Sequence, residues 1–96
     1  MTNYTRGRQF EYRTKKKLEA EGWVVFRSAG SHSPADLIAL RTGEVMLVQC
    51  KGYEGKVAHV EREKLLLLAN ELGVRAVLAQ KQGRKLVMEE LTGEKI

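Results

Sequence analysis

The sequence predicts an α/β domain in which helices flank a central mixed β-sheet, in the order α-β-β-β-α-β-β. Two segments of helical period, 6–21 and 60–72, are interleaved with five short runs rich in β-branched and aromatic residues. The second helix stands between the third and fourth runs, where a crossover joining parallel neighbours belongs. The other strand connections are short enough for antiparallel pairing. With 96 residues, 43% of them hydrophobic, and no repeat or linker-like tract, one domain spanning 1–96 is expected.

Along 6–21, Gly7, Phe10, Thr14, Leu18 and Glu21 fall on one side of a helix, Glu11 lies at the edge of that stripe, and Gly22 is a natural stop. WVVFRS (23–28) reads as a strand whose Trp23 and Phe26 enter the core, and AGSHSP (29–34) as a loop. ADLIALR (35–41) and EVMLVQCK (44–51) are two strands joined by Thr42 and Gly43, a hairpin signal. Residues 60–72 form the second helix, closed by Gly73. The strands 74–80 and 85–91 are joined through KQGR. Leu65, Leu66, Leu67 and Leu68 spread over more than one helix face, so some of them are expected to meet a second copy in a symmetric dimer. The alternative is a fully wrapped helix.

Charge narrows the function. Lys plus Arg number 17 against 12 acids, a net +5 whose field attracts polyanions. Arg6, Arg8, Arg13, Lys15, Lys16 and Lys17 fall within the first 17 residues, where Glu11 is the only acid. Nucleic acid is the partner this favours; a solvated helix face is the bland alternative. A lone cysteine, Cys50, forms no intrachain disulfide, and there is no signal-like segment and no run of about 18 apolar residues to cross a membrane. A cytoplasmic protein is expected, or one of the host cytoplasm if virally encoded.

Polar residues at the ends of the hairpin strands point to chemistry. Alternation puts Asp36 on a face with Ile38 and Leu40, and Gln49 and Lys51 on a face with Val45 and Leu47. The hairpin brings the start of one strand opposite the end of the other, so Asp36, Gln49 and Lys51 converge at one sheet end. A carboxylate, an amide oxygen and an ammonium suit a hard cation and a phosphate, because Mg²⁺ takes oxygen ligands and shares them with substrate phosphate. Such an ion eases deprotonation of water and stabilises charge on a phosphate under attack. A strand-end salt bridge between Asp36 and Lys51, with Gln49 solvated, explains the same spacing. Glu11 reads either as a surface acid or as a carboxylate aimed at the sheet, costly there without a cation.

From Glu11 through RSAGSHSPAD (27–36), LIAL (37–40) and VMLVQCK (45–51), the chain resembles the PD-(D/E)xK nuclease superfamily, and within it the archaeal-type Holliday junction resolvases (Hjc). The bare D…xK pattern is common, whereas the RSAGS loop following a glutamate-bearing helix is much more specific. The resemblance implies a restriction-endonuclease-like fold and a metal-dependent endodeoxyribonuclease that resolves four-way junctions as a homodimer, with Mg²⁺ as cofactor and Mn²⁺ able to substitute. It implies that Glu11, Asp36 and Gln49 surround the metal and that Lys51 is the catalytic lysine. Arg27, Ser28 and Ser31, with Arg6, Arg8 and Arg13 of the first helix, then contact DNA phosphates, selecting junction shape over base sequence.

Gln49 departs from the family, which usually has glutamate there. Gln49 works as a neutral ligand, or Glu54 or Glu44 compensates, or the chain has kept binding and lost cleavage; retention of Glu11, Asp36 and Lys51 favours the first. Other expectations are a solvated loop histidine at His32 and a buried structural thiol at Cys50; Tyr4, Tyr12 and Tyr53 are polar-ended aromatics in basic surroundings, able to rest on DNA sugars, with none singled out. A related nuclease with another DNA substrate and a noncatalytic DNA-binding module are the competing functions.

Overall fold

A computed structural model describes residues 3–28, 33–51 and 59–91, with side chains from Gly7 onward. The elements are α1 (Asn3–Ala20), β1 (Val24–Arg27), β2 (Leu37–Arg41), β3 (Glu44–Lys51), α2 (His59–Leu72), β4 (Arg75–Gln82) and β5 (Lys85–Leu91). The expected order holds. The strands lie in the spatial order β1-β2-β3-β4-β5; every pair is antiparallel except β3 and β4, which are parallel and joined through α2. The sheet is therefore mixed, as expected. No described helix is long and apolar enough to cross a membrane.

Each helix ends where glycine permits it. Gly22 has φ +95°; its N–H donates to the Glu19 carbonyl at 3.0 Å and the Trp23 N–H donates to the Leu18 carbonyl at 3.1 Å. This pair of bonds satisfies carbonyls that the helix terminus leaves open, and Leu18 and Trp23 bury together in the core. β1 consequently begins at once beneath α1. The Thr42–Gly43 turn is a two-residue loop with Arg41 paired to Glu44, and Gly43 takes φ +74°, a value that costs a side chain-bearing residue strain. The final hairpin is tighter than KQGR suggested, because β4 runs on to Gln82 and leaves Gly83 and Arg84 as the turn.

Two apolar layers separate on the sheet. On one side Phe10 and Leu18 of α1 pack with Trp23, Val25, Leu37, Ala39, Met46, Val48, Val77 and Ala79. Thr14, fully buried among them, donates its hydroxyl to the Phe10 carbonyl at 2.8 Å, so its burial leaves the donor satisfied. Glu21, expected on this stripe, is exposed and bound to Lys17. On the other side Leu65 and Ala69 of α2 pack against Ala35, Leu47, Ala76, Leu78 and Leu91. The four leucines divide as their angles require: Leu65 is buried, Leu66 and Leu68 lean on the same layer, and Leu67 is 66% exposed.

α2 covers β3 and β4 and stops short of β1. Val24 and Phe26 are thus 58% and 57% exposed, and the expectation that Phe26 belongs to the core is wrong. Alternation explains it, since Trp23 and Val25 turn toward α1 and Phe26 takes the uncovered face. At the turn end of the hairpin, Arg41 lies 4.1 Å from the Trp23 ring centroid, and Arg75 approaches the ring at 5.8 Å. Both guanidinium groups bond to Glu44, at 3.1 and 2.7 Å, and Arg75 also binds Glu90. Charge-assisted bonds to Glu90 and Glu44 raise the affinity of Arg75 for its proton. This end of the sheet is closed by side chains already paired.

Candidate active site

The opposite end of the sheet gathers the polar residues singled out above. β2 pairing begins at Leu37 with Val48, and the Asp36 N–H adds one more bond to the Val48 carbonyl at 2.8 Å. Beyond that point β3 continues without β2, which leaves the N–H of Cys50 facing the vacated edge. The Asp36 carboxylate accepts from it at 2.8 Å. The side chain is in this way fixed against the strand carrying Gln49 and Lys51. The Asp36 carbonyl accepts from the Ser28 N–H at 2.8 Å, tying the site to the end of β1.

Alternation along β3 sends Met46, Val48 and Cys50 toward α1 and puts Leu47, Gln49 and Lys51 on the face that α2 packs against. Gln49 is half-buried, and its Oε1 is buried with no hydrogen-bond partner among the described residues. The reading in which Gln49 is solvated therefore fails. An amide oxygen hidden from water and left unbonded costs about 1–3 kcal/mol. A cation ligand is one arrangement that recovers it, and the oxygen-only donors nearby are of the kind hard divalent cations take.

Glu11 approaches from the α1 side. Its carboxylate is 20% exposed and accepts from Arg27 Nε at 2.9 Å, which offsets the cost of bringing it against the sheet. Asp36 feels both helices. Its pKa is raised above the ordinary carboxylate range, mainly by burial; the Cys50 N–H works against the shift, the Glu11 charge adds to it, the Arg27 charge opposes it and the Glu61 charge adds to it. Among the described residues no three histidine, cysteine or carboxylate side chains form a ready ion-binding group.

The raised value has a stability consequence with a definite sign. Between the ordinary aspartate pKa and the raised one, the native chain holds a proton that the unfolded chain has lost, so stability falls as pH rises through that window. Asp36→Asn keeps an oxygen for the Cys50 N–H and removes the charge. Thermal unfolding in EDTA should give the variant the higher Tm at about pH 7.5 and a vanishing advantage near pH 4; an equal Tm at both would contradict the assigned burial cost.

The remaining expected residues divide. Arg8 is exposed and lies three positions before Glu11, hence on the same flank of α1 as the site. Arg13 is turned away, because its guanidinium donates to the Arg84 carbonyl at the β4–β5 turn, 2.9 Å distant. Lys15 and Lys16 bind Glu19, and Lys17 binds Glu21. The basic run looked nearly free of acids in sequence, yet its lysines are partly neutralised one turn later. Arg27 engages Glu11 and is 44% exposed; Ser28 contributes its backbone. Cys50 turns toward α1, where burial pushes its thiol pKa up and the Thr14 hydroxyl is its neighbour, so it is a packed thiol and no nucleophile. Tyr12 is exposed beside Lys16. Glu44, offered as a substitute for Gln49, is wrong: it belongs to the closed end with Arg41 and Arg75. The side chains of Tyr4 and Arg6 and the residues Ser31, His32, Tyr53 and Glu54 lie outside the described residues.

Comparison with known proteins places these residues in a lineage. The family described as archaeal Holliday junction resolvase (Hjc) matches residues 2–94. Over 81 residues the chain is 40% identical to the crossover junction endodeoxyribonuclease Hjc of Methanocaldococcus jannaschii; the alignment covers 81% of this chain and 60% of that relative's length. The solved structure of Archaeoglobus fulgidus Hjc, a Holliday junction resolvase from an archaeal hyperthermophile, superposes with a TM-score of 0.74 at 24% identity, over 88% of this chain and 76% of that one. That likeness establishes the shared fold.

Proposed function

Because the chain belongs to the archaeal Holliday junction resolvase family, we propose that it is a metal-dependent endodeoxyribonuclease that resolves four-way DNA junctions by paired symmetric nicks. The observation that carries this reading is the buried Oε1 of Gln49, without a hydrogen bond among the described residues, on the strand whose next residue, Cys50, holds the Asp36 carboxylate through its N–H. Asp36 and Gln49 hold the ion, with Glu11 as the third donor once Arg27 releases it. Mg²⁺ is the cofactor, and Mn²⁺ substitutes because it accepts the same oxygen ligands. When bound, the cation supplies positive charge against the scissile phosphate and eases deprotonation of a water.

The chain's own groups do the rest. The Cys50 N–H holds the Asp36 carboxylate against β3 at 2.8 Å and so orients it. Lys51, two residues beyond Gln49 on the same strand face, presents its ammonium to the attacking water or to the phosphate oxygens. Arg27 is exposed enough to exchange its Glu11 carboxylate for a DNA phosphate, and Arg8 on the same flank adds a second phosphate contact. Ser28, at the end of β1 next to Arg27, extends this backbone-reading surface, whereas Arg13 faces the β4–β5 turn.

A homodimer provides the two sites that paired nicks require. Val24 and Phe26 of β1 are exposed on the sheet face beyond the reach of α2, whereas Ile38, the β2 partner of Phe26, already leans on the α2 layer. A second copy packed on this face buries it and relates the two sites by a twofold axis.

Cleavage of a synthetic four-way junction and of a linear duplex of the same sequence, each with Mg²⁺, Mn²⁺ or EDTA, tests the proposal. Metal-dependent paired nicks on the junction alone are expected. Duplex cutting would make the chain a relative with another substrate, and tight junction binding with no cleavage in either metal would make it a noncatalytic DNA-binding module. Gln49→Glu restores a charge at the ligand position, so the Mg²⁺ concentration for half-maximal rate should fall about tenfold. An unchanged or raised requirement would remove Gln49 from the ligand set.

A further inference from the structure

We propose that Glu61, in the first turn of α2, supplies the negative charge that Gln49 withholds from the cation site, acting through the water the ion retains. The inference rests on the proposed metal site and adds to it a residue from a third element. Its basis is the crossover geometry. α2 connects the C-terminal end of β3 to the start of the parallel β4, so its first turn lies at the sheet end where Gln49 and Lys51 stand. Leu65 is fully buried in one cluster with Ala35, which precedes Asp36, and Leu47, two residues before Gln49 on the same strand face. Glu61 lies one turn before Leu65, on the same side of the helix and displaced toward that end.

Glu61 is exposed, and no hydrogen bond or ion pair to a described residue engages it. The neighbouring acid Glu63 is instead bound to His59, and the neighbouring base Arg62 to Glu89. The turn that carries Glu61 shares the C-terminal end of β3 with Asp36, which the Cys50 N–H holds there. The carboxylates do not close into a ready group, which suits a role at one remove: Mg²⁺ keeps several of its waters, and an outlying carboxylate accepts hydrogen bonds from them. Glu44 is tied up at the opposite end of β3, so among the described acids α2 offers the replacement.

An acid in a first turn also complements the helix dipole, a purely structural role. A double-mutant cycle on Mn²⁺ binding to the DNA-free protein, read by electron paramagnetic resonance of free Mn²⁺, separates the two. Glu61→Gln should weaken Mn²⁺ binding about tenfold in the wild-type background and by no more than about twofold in a Gln49→Glu background, because the second charge is then already present. Glu63→Gln should leave binding unchanged. Equal losses in both backgrounds, or none in the wild type, would overturn the role of Glu61. If Asp36→Asn abolishes Mn²⁺ binding while Glu61→Gln does not weaken it, this inference fails and the metal site stands; if the wild type binds no Mn²⁺ that Asp36→Asn removes, both fail.

Discussion

Lys51→Ala and Asp36→Ala should each reduce single-turnover junction cleavage by a factor on the order of 10³ or more, while junction affinity measured in EDTA stays within a few fold. The asymmetry follows from placement. Neither side chain belongs to the basic flank of α1, so DNA binding does not depend on them, whereas both act at the reacting phosphate. The two variants differ in one respect. Asp36 caps the Cys50 N–H, and its truncation to alanine leaves that donor unmet at a cost of about 1–3 kcal/mol. Asp36→Asn retains an acceptor and should lose cleavage equally without the structural cost, so a folded but inactive asparagine variant identifies chemistry as the cause. Wild-type rates in both Lys51→Ala and Asp36→Asn would mean that the site lies elsewhere on the molecule.

Junction affinity should fall by about 10³-fold when salt rises from about 50 to 200 mM if six phosphates are neutralised. The argument is counterion release, which scales with the number of cations placed on the backbone and carries no base information. Because Lys15 and Lys16 are bound to Glu19 and Lys17 to Glu21, these lysines should add little to the slope. Arg8→Gln should flatten a plot of log affinity against log salt by nearly one unit, and Lys16→Gln by much less. A salt-independent affinity would sink the reading of this flank as a phosphate-binding surface.

The fold was largely legible because local signals agreed: Gly22 and Gly73 end helices, Thr42–Gly43 turns the hairpin, and the strand runs keep their period. The convergence of Asp36 with the end of β3 followed from that register alone. What escaped was set by how far an element reaches. Phe26 is exposed because α2 covers β3 and β4 only, a limit that no property of WVVFRS encodes. The lysines of α1 lost their freedom to acids three or four residues on, a pairing legible at helical spacing and overlooked. Glu61 was missed because its relation to Asp36 passes through a crossover; only the parallel pairing of β3 with β4 brings α2's first turn to that end. The Cys50 N–H clamp on Asp36 arises where one strand outruns its neighbour, which depends on where β2 begins.

The two-residue turn at Thr42–Gly43 has a reach beyond its size. It lies about 20 Å along the strand from Asp36, six residues at about 3.3 Å each, and it alone fixes which residue of β2 faces which of β3. A single residue inserted there, unless swallowed as a bulge, would slip the ladder and swing the aspartate to the wrong side of the sheet. Among natural or engineered variants, length changes in that hairpin should be as rare as losses of the lysine itself, although the turn lies at the far end of the strands from the aspartate.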